Sequence, residues 1–263
     1  MPNTRIFCLI ILLGMVKFDS QAQCTTLGQT PSTAFPVCGT SVFTQSTVPT
    51  CSTNDIYVPG CSGDGSLYAN KNPFFYKFTC YTAGSLGFVI TPLANNEDYD
   101  WQLFDITGHN PDDIFTDHSL VVTGNWAGTY GATGASSAGI TSIQCASNPA
   151  DNKPTFAKMP NLIAGHTYLL MVSHFSDTQS GYTLEFKDGT AVITDPKEPH
   201  LLDAKTDCDG KTITLRLNKK IKCNSLTGTG SEFSISPAVT SVIAAAGDSC
   251  AFSFDIDEIT ITL

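Results

Sequence analysis

"TYLLMVSHF", residues 167–175, decides the fold class of this chain. Its side chains alternate between two faces, and both faces are apolar: Tyr168, Leu170 and Val172 on one, Leu169 and Met171 on the other. A strand with two apolar faces belongs between two covering layers. "GYTLEF" (181–186) follows after a loop holding Ser176, Asp177 and Ser180, so the two segments read as a hairpin. Upstream, "SLGFVIT" (85–91) sets Leu86, Phe88 and Ile90 on one face. "FFYKFTC" (74–80) alternates Phe74, Tyr76 and Phe78 against Phe75, Lys77 and Thr79. Beyond the N-terminus no stretch carries the 3.6-residue period of an amphipathic helix, and the expected fold is all-β.

A break falls at "TAVITDPKEP" (190–199), where Pro196 and Pro199 bracket charges. After it, Ile213, Leu215 and Leu217 alternate in "TITLRLN", Phe233 and Ile235 in "EFSIS", and Ile259, Ile261 and Leu263 in "EITITL". These patterns divide the chain into a β-sandwich over residues 23–190, a linker over 191–199 and a second β domain over 200–263. Three visible strands and the start of a fourth fall short of the roughly seven that close an Ig-like sandwich. The second domain is therefore expected to be incomplete and to continue beyond Leu263.

Residues 1–22 read as a secretory signal peptide. Arg5 supplies the positive start, "IFCLIILLGMV" (6–16) the apolar run, and "SQA" (20–22) the small-x-small cleavage site, with cleavage expected after Ala22. The run is too short to span a bilayer and no second long apolar run follows, so a soluble mature chain without a transmembrane segment is expected. Ten cysteines occur in the sequence, one of them (Cys8) within the signal. In an exported chain the rest read as a disulfide framework. Cys24, Cys38, Cys51, Cys61, Cys80 and Cys145 are expected to form three bridges within the first domain. Of the later three, Cys223 is expected to pair with Cys250, leaving Cys208 without an intramolecular partner. The absence of any C-x-x-C argues against a zinc ribbon or a thioredoxin-like centre.

Acidic residues outnumber basic ones 24 to 14. Removing Arg5, Lys17 and Asp19 with the signal leaves 23 to 12, a mature charge of −11. Such a surface makes nucleic acid and anionic membranes poor partners. Nucleophilic catalysis has little support: there is no G-x-S-x-G, no H-E-x-x-H among the five histidines, and "GASSAG" (134–139) is one residue too long for a nucleophile elbow. The chain is expected not to be an enzyme. The glycine-rich stretch "TGNWAGTYGATGASSAG" (123–139) lacks G-K-[ST] and is no phosphate loop. Trp126 and Tyr130 within it are candidates for stacking on a sugar ring; the competing reading tucks the Trp onto the core.

"NNEDYDWQLFD" (95–105) is not an EF-hand, because Trp101 stands where Gly is needed and Thr107 where Glu is needed. As a strand it sets Asp98, Asp100, Gln102 and Phe104 on one face and Tyr99, Trp101 and Leu103 on the other. A second acidic turn, "GHNPDDIFTD" (108–117), follows. Two readings stay open. Asp98 and Asp100, with Asp105 or Asp112, bind calcium at one end of the sandwich; or these acids are solvated turn residues whose side chains bond nearby backbone.

Several segments resemble a known group of proteins: "GQTPSTAFPVCGT", "VPGC", "NPFFYKFTC", "DYDWQLFDITGHNP", "NWAGTYGATGAS" and "GHTYLLMVSHFSDTQSGYTLEF". They look like the N-terminal module of large secreted Bacteroidetes surface proteins that end in a gliding-motility-associated C-terminal sorting domain. The closing segment is also similar to CUB-like and pre-peptidase C-terminal sandwiches, and "LNKKIKCNSLTGTGSEFSI" looks like the start of a bacterial Ig-like repeat. The resemblance implies a CUB-like or jelly-roll sandwich followed by a truncated Ig-like domain, type IX export and display at the cell surface beside neighbouring modules. It supplies no catalytic residues, and this chain carries no sorting domain. The expected function is non-catalytic binding or adhesion, with a surface polysaccharide or an extracellular protein as partner. The alternative is a carbohydrate-binding module of a larger secreted enzyme.

Overall fold

The computed structural model describes residues 24–263 except 25, 39–41, 63–64, 177, 179, 248–249 and 251–254, so the expected signal peptide lies outside the described residues. The fold is all-β, and its helical elements are 3-10 turns of three to five residues. The early strands are β1 (Phe35–Pro36), β2 (Phe43–Thr47), β3 (Ile56–Val58), β4 (Ser66–Tyr68), β5 (Phe74–Thr79) and β6 (Gly84–Ser85). Next come β7 (Phe88–Pro92), β8 (Tyr99–Asp105), β9 (Val121–Asn125), β10 (Thr133–Ser136), β11 (Ile143–Gln144) and β12 (Phe156–Lys158). The first unit closes with β13 (Asn161–Leu162), β14 (Thr167–His174) and β15 (Ser180–Phe186). A separate sheet holds β16 (Leu201–Thr206), β17 (Thr212–Lys222), β18 (Ala244–Gly247) and β19 (Asp255–Thr262).

Two sheets make the sandwich. One has six strands in the order β1-β5-β14-β8-β9-β11, the other five in the order β12-β10-β7-β15-β2. Their facing sides share one core, in which Tyr76, Phe78, Trp101, Leu103 and Leu170 meet Phe88, Ile90 and Leu184. β14 has both edges filled: Val172 sits opposite Phe74 on one side and Trp101 on the other. Its inward residues join that core, while Leu169 and Met171 point outward into a second one with Ile56, Val58, Phe104, Ile114 and Trp126. A third layer, made of the β3–β4 hairpin and long loops, thus covers the outside of the six-stranded sheet. The covering on both faces explains why β14 is apolar throughout.

That arrangement corrects the hairpin reading. Because β5 and β8 already occupy the edges of β14, β15 cannot pair with it and crosses to the other sheet, between β7 and β2. The glycine-rich stretch is likewise not one loop, since it contains β10 and the end of β9.

Two disulfides pin the outer layer, Cys24–Cys51 and Cys61–Cys145. The third expected bridge is absent: Cys38 and Cys80 both carry free thiols. Period-two alternation turns Cys80 inward with Phe74, Tyr76 and Phe78, where burial raises its pKa and its thiol donates to Thr82 O. Cys38 lies exposed beyond the end of β1, where alternation after the inward Val37 turns it to the face of the sheet opposite Cys80.

In the second sheet the order is β16-β17-β19-β18, all antiparallel. One face packs Leu215, Ile259 and Ile261 against Leu226, Phe233, Ile235 and Val242 from a long connection, and Cys223–Cys250 ties that connection down. "EFSIS" is therefore core-packing loop and not a strand; β16 and β18 take the edges instead. Cys208 is exposed with a free thiol. Within the expected linker, Val192 bridges Thr82 and Ile193 is buried in the sandwich core, so these residues pack with the first unit.

Candidate functional site

The turn 93–98 feeds β8, and the alternation expected for "DYDWQLFD" holds: Tyr99, Trp101 and Leu103 enter the sandwich core. The opposite face carries Asp98, Asp100, Gln102 and Phe104, and it is buried under the loop layer instead of solvated. Asp98 is 5% exposed, Asp100 4%. Gln102 is fully used: its Nε2 donates to Tyr57 O (2.8 Å) and its Oε1 accepts from Trp126 Nε1 (2.8 Å). The two aspartates are not used in this way. Oδ1 of each is buried without a hydrogen-bond partner. Burial pushes the pKa of Asp98 up to about 6; burial, with the charge of Asp98 beside it, lifts Asp100 well above the carboxylate range.

Two further orphaned oxygens belong to neighbouring loops, Asn70 Oδ1 and Thr129 Oγ1. Asn70 is placed by the residues around it. Tyr68 packs edge-on against Trp126 at 5.3 Å, and Lys71 N donates to Ser173 Oγ at 3.1 Å, with Ser173 directly opposite Asp100. The segment carrying Asn70 thus passes Ser173, the cross-strand neighbour of Asp100, and the Asn70 Nδ2 donates to Thr53 Oγ1. Thr129 is placed from the other side. β9 leaves β8 after Asn125, opposite Trp101, and Gly131 N donates to Glu97 O (3.2 Å), so the intervening chain passes Asp98. The bend needs Gly128, where a Cβ would stand 2.2 Å from Ser147 O.

On the core side of the same turn lies a buried ion pair. His174 Nε2 meets Glu97 Oε2 at 2.8 Å, with the His side chain 0% exposed and stacked on Tyr99. Burial presses the Glu97 pKa upward, but hydrogen bonds from Thr178, His174 and Ser176 outweigh it and hold the carboxyl low. The pair is closed to solvent; it anchors the turn to the end of β14.

The acids expected to share one ion do not all meet. Asp105 is five positions along β8 from Asp100, roughly 17 Å at strand rise. There its Oδ2 meets His166 Nδ1 at 2.7 Å. Burial pushes the Asp105 pKa up, while hydrogen bonds from Thr107 and His166 prevail and lower it. Asp112 sits exposed in a 3-10 turn, Pro111–Phe115, capped by Asn110. Among the described residues no three His, Cys, Asp or Glu side chains gather around one point. The Trp126–Tyr130 stacking pair is also corrected. Trp126 is 3% exposed, with its indole N–H committed to Gln102, whereas Tyr130 is 52% exposed on the loop beyond it.

An open cleft of about 530 Å³ lies between the β1–β2 edge and the disulfide end of the second sheet. Phe35, Phe43, Phe74 and Tyr76 form its wall, and Lys222, Asn224 and Asp255 its polar side. Nothing in the sequence pointed to it, because it is built from residues 35–76 and 222–255. No protein-family model, no curated protein and no solved structure matches the chain.

Proposed function

We propose that this chain is an exported, modular surface protein whose role is non-catalytic binding or adhesion. The observation that carries the reading is the aromatic-walled cleft, with four rings on one side and a cation, an amide and a carboxylate on the other. Ligand sites are concave, mostly apolar, and fixed by a few polar groups, and this cleft has the size and lining of one. Three disulfides suit an oxidising compartment, and no helix among the described residues is long and apolar enough to cross a membrane. The partner is a surface polysaccharide or an extracellular protein, in keeping with the resemblance to secreted Bacteroidetes modules.

The test is flow cytometry of the fluorescent mature chain (residues 23–263) on intact Bacteroidetes cells. Saturable binding that unlabelled protein competes away, and that Lys222→Ala with Asn224→Ala weakens at least about tenfold, supports the reading. Loss after periodate treatment identifies a polysaccharide partner, and loss after protease a protein. Binding that never saturates contradicts it. The second reading, a carbohydrate-binding module of a larger enzyme, draws on Phe35 and Phe43, the half-buried rings of that wall. Specific binding on an array of purified glycans, with none to cells, favours it.

A further inference from the structure

Five buried side-chain nitrogen or oxygen atoms lack a hydrogen-bond partner among the described residues. Four of them are oxygens, Asp98 Oδ1, Asp100 Oδ1, Asn70 Oδ1 and Thr129 Oγ1, and the contacts of Lys71 with Ser173 and of Gly131 with Glu97 bring the segments that carry them together at the β8 entry. Native interiors leave few such atoms unsatisfied, and each calls for a water, an ion or a functional reason. Their clustering makes the reason chemical. A proton shared between the two carboxylates satisfies that pair and leaves the amide and hydroxyl oxygens as they were. A single water has two protons to offer and leaves the negative charge uncompensated. One divalent cation takes all four oxygens and the charge together.

We propose that Asp98, Asp100, Asn70 and Thr129 form a calcium site beneath the outer loop layer of the first sandwich. Calcium accepts six to eight oxygens of mixed type, including carboxylates, amide carbonyls and water, in irregular geometry, whereas magnesium demands a near-ideal octahedron. The four side chains come from three separate stretches of chain: the segment after β4, the entry of β8 and the loop after β9. A bound ion therefore ties the loop layer to the sheet, the work that the Cys61–Cys145 bridge also does covalently. Asp105 and Asp112 play no part, and the Glu97–His174 pair lies on the other face of β8. The proposal is independent of the aromatic cleft, which lies at the far side of β5 and β14.

The experiment is thermal unfolding of the mature chain after chelator dialysis, with and without about 10 mM calcium chloride, well above the dissociation constants usual for extracellular sites. A ligand that binds only the folded state raises the melting temperature, here by roughly 3 °C or more. Terbium supplies a second readout. Bound near Trp126, it emits on excitation of the indole, and calcium extinguishes that emission. Asp100→Asn is expected to abolish both responses, and Asn70→Ala and Thr129→Val to weaken calcium binding several-fold. Should Asp100→Asn fail to fold, the latter two variants carry the test. An unchanged melt of the wild-type chain in calcium overturns the proposal. So does a full calcium response in Asp100→Asn, or in Asn70→Ala and Thr129→Val together, since the ion would then be held elsewhere.

Discussion

Asp98 and Asp100 were legible as a same-face pair from alternation alone, but not as a buried pair, because burial depends on loops 30 residues away on either side. Asn70 and Thr129 carried no signal: an amide and a hydroxyl in turn-rich segments look like ordinary turn residues. The Glu97–His174 contact joins positions 77 apart, and no local pattern encodes such a separation. The aspartates also make a pH prediction. Their pKa values in the folded chain are raised by burial, so the folded state holds protons that the unfolded state has released. Stability from these groups is full below pH ~4 and is lost as pH rises through about 6 for Asp98 and further for Asp100. Measured in chelator by thermal melts, Asp100→Asn is expected to be more stable than wild type at pH 8, by roughly 3 °C or more, and no more stable at pH 4. An advantage that is the same at both pH values contradicts a pKa raised by burial at Asp100.

At the scale of elements, period two assigned faces well and partners poorly. The alternation in "FFYKFTC", "SLGFVIT" and "DYDWQLFD" places the same side chains inward that form the sandwich core. Which strand neighbours which was not readable, because pairing is decided by edges that remain free: β14 had none left for β15. "AAAG" at 244–247 has no β-branched or aromatic residue and so carries no strand signal for β18, whereas "EFSIS" has the pattern without the pairing. Counting cysteines misled for a related reason, since parity says nothing about which sulfurs face each other. Unreduced mass spectrometry of the mature chain is expected to find three bridges and three thiols. Alkylation of the native protein should label Cys38 and Cys208 promptly, and Cys80 only on unfolding. Replacing Cys61 and Cys145 by Ser is expected to cost about 4.5 kcal/mol, against about 3.5 for the Cys24–Cys51 pair, since the longer loop gains more chain entropy when released. Equal midpoint shifts in urea would contradict that order.

At the scale of the whole molecule, an acidic chain places a short basic run, Lys219, Lys220 and Lys222, where the second sheet faces the first unit. Lys219 Nζ donates to the carbonyls of Asp195 (3.1 Å) and Lys197 (2.7 Å), and Lys220 pairs with Asp255 at 3.4 Å. The Lys219 bonds join the second sheet to the connecting segment and the Lys220 pair ties β17 to β19, while Lys222 stands 6.0 Å from the centre of the Phe43 ring at the cleft. Binding without chemistry is the central claim, and the most direct measurement records both together. The mature chain is incubated with intact Bacteroidetes cells, the bound fraction is followed by fluorescence, and the supernatant is followed by mass spectrometry. Saturable binding is expected, with no time-dependent release of sugar or peptide fragments. Failure to saturate, or fragments accumulating in proportion to bound protein, would contradict it.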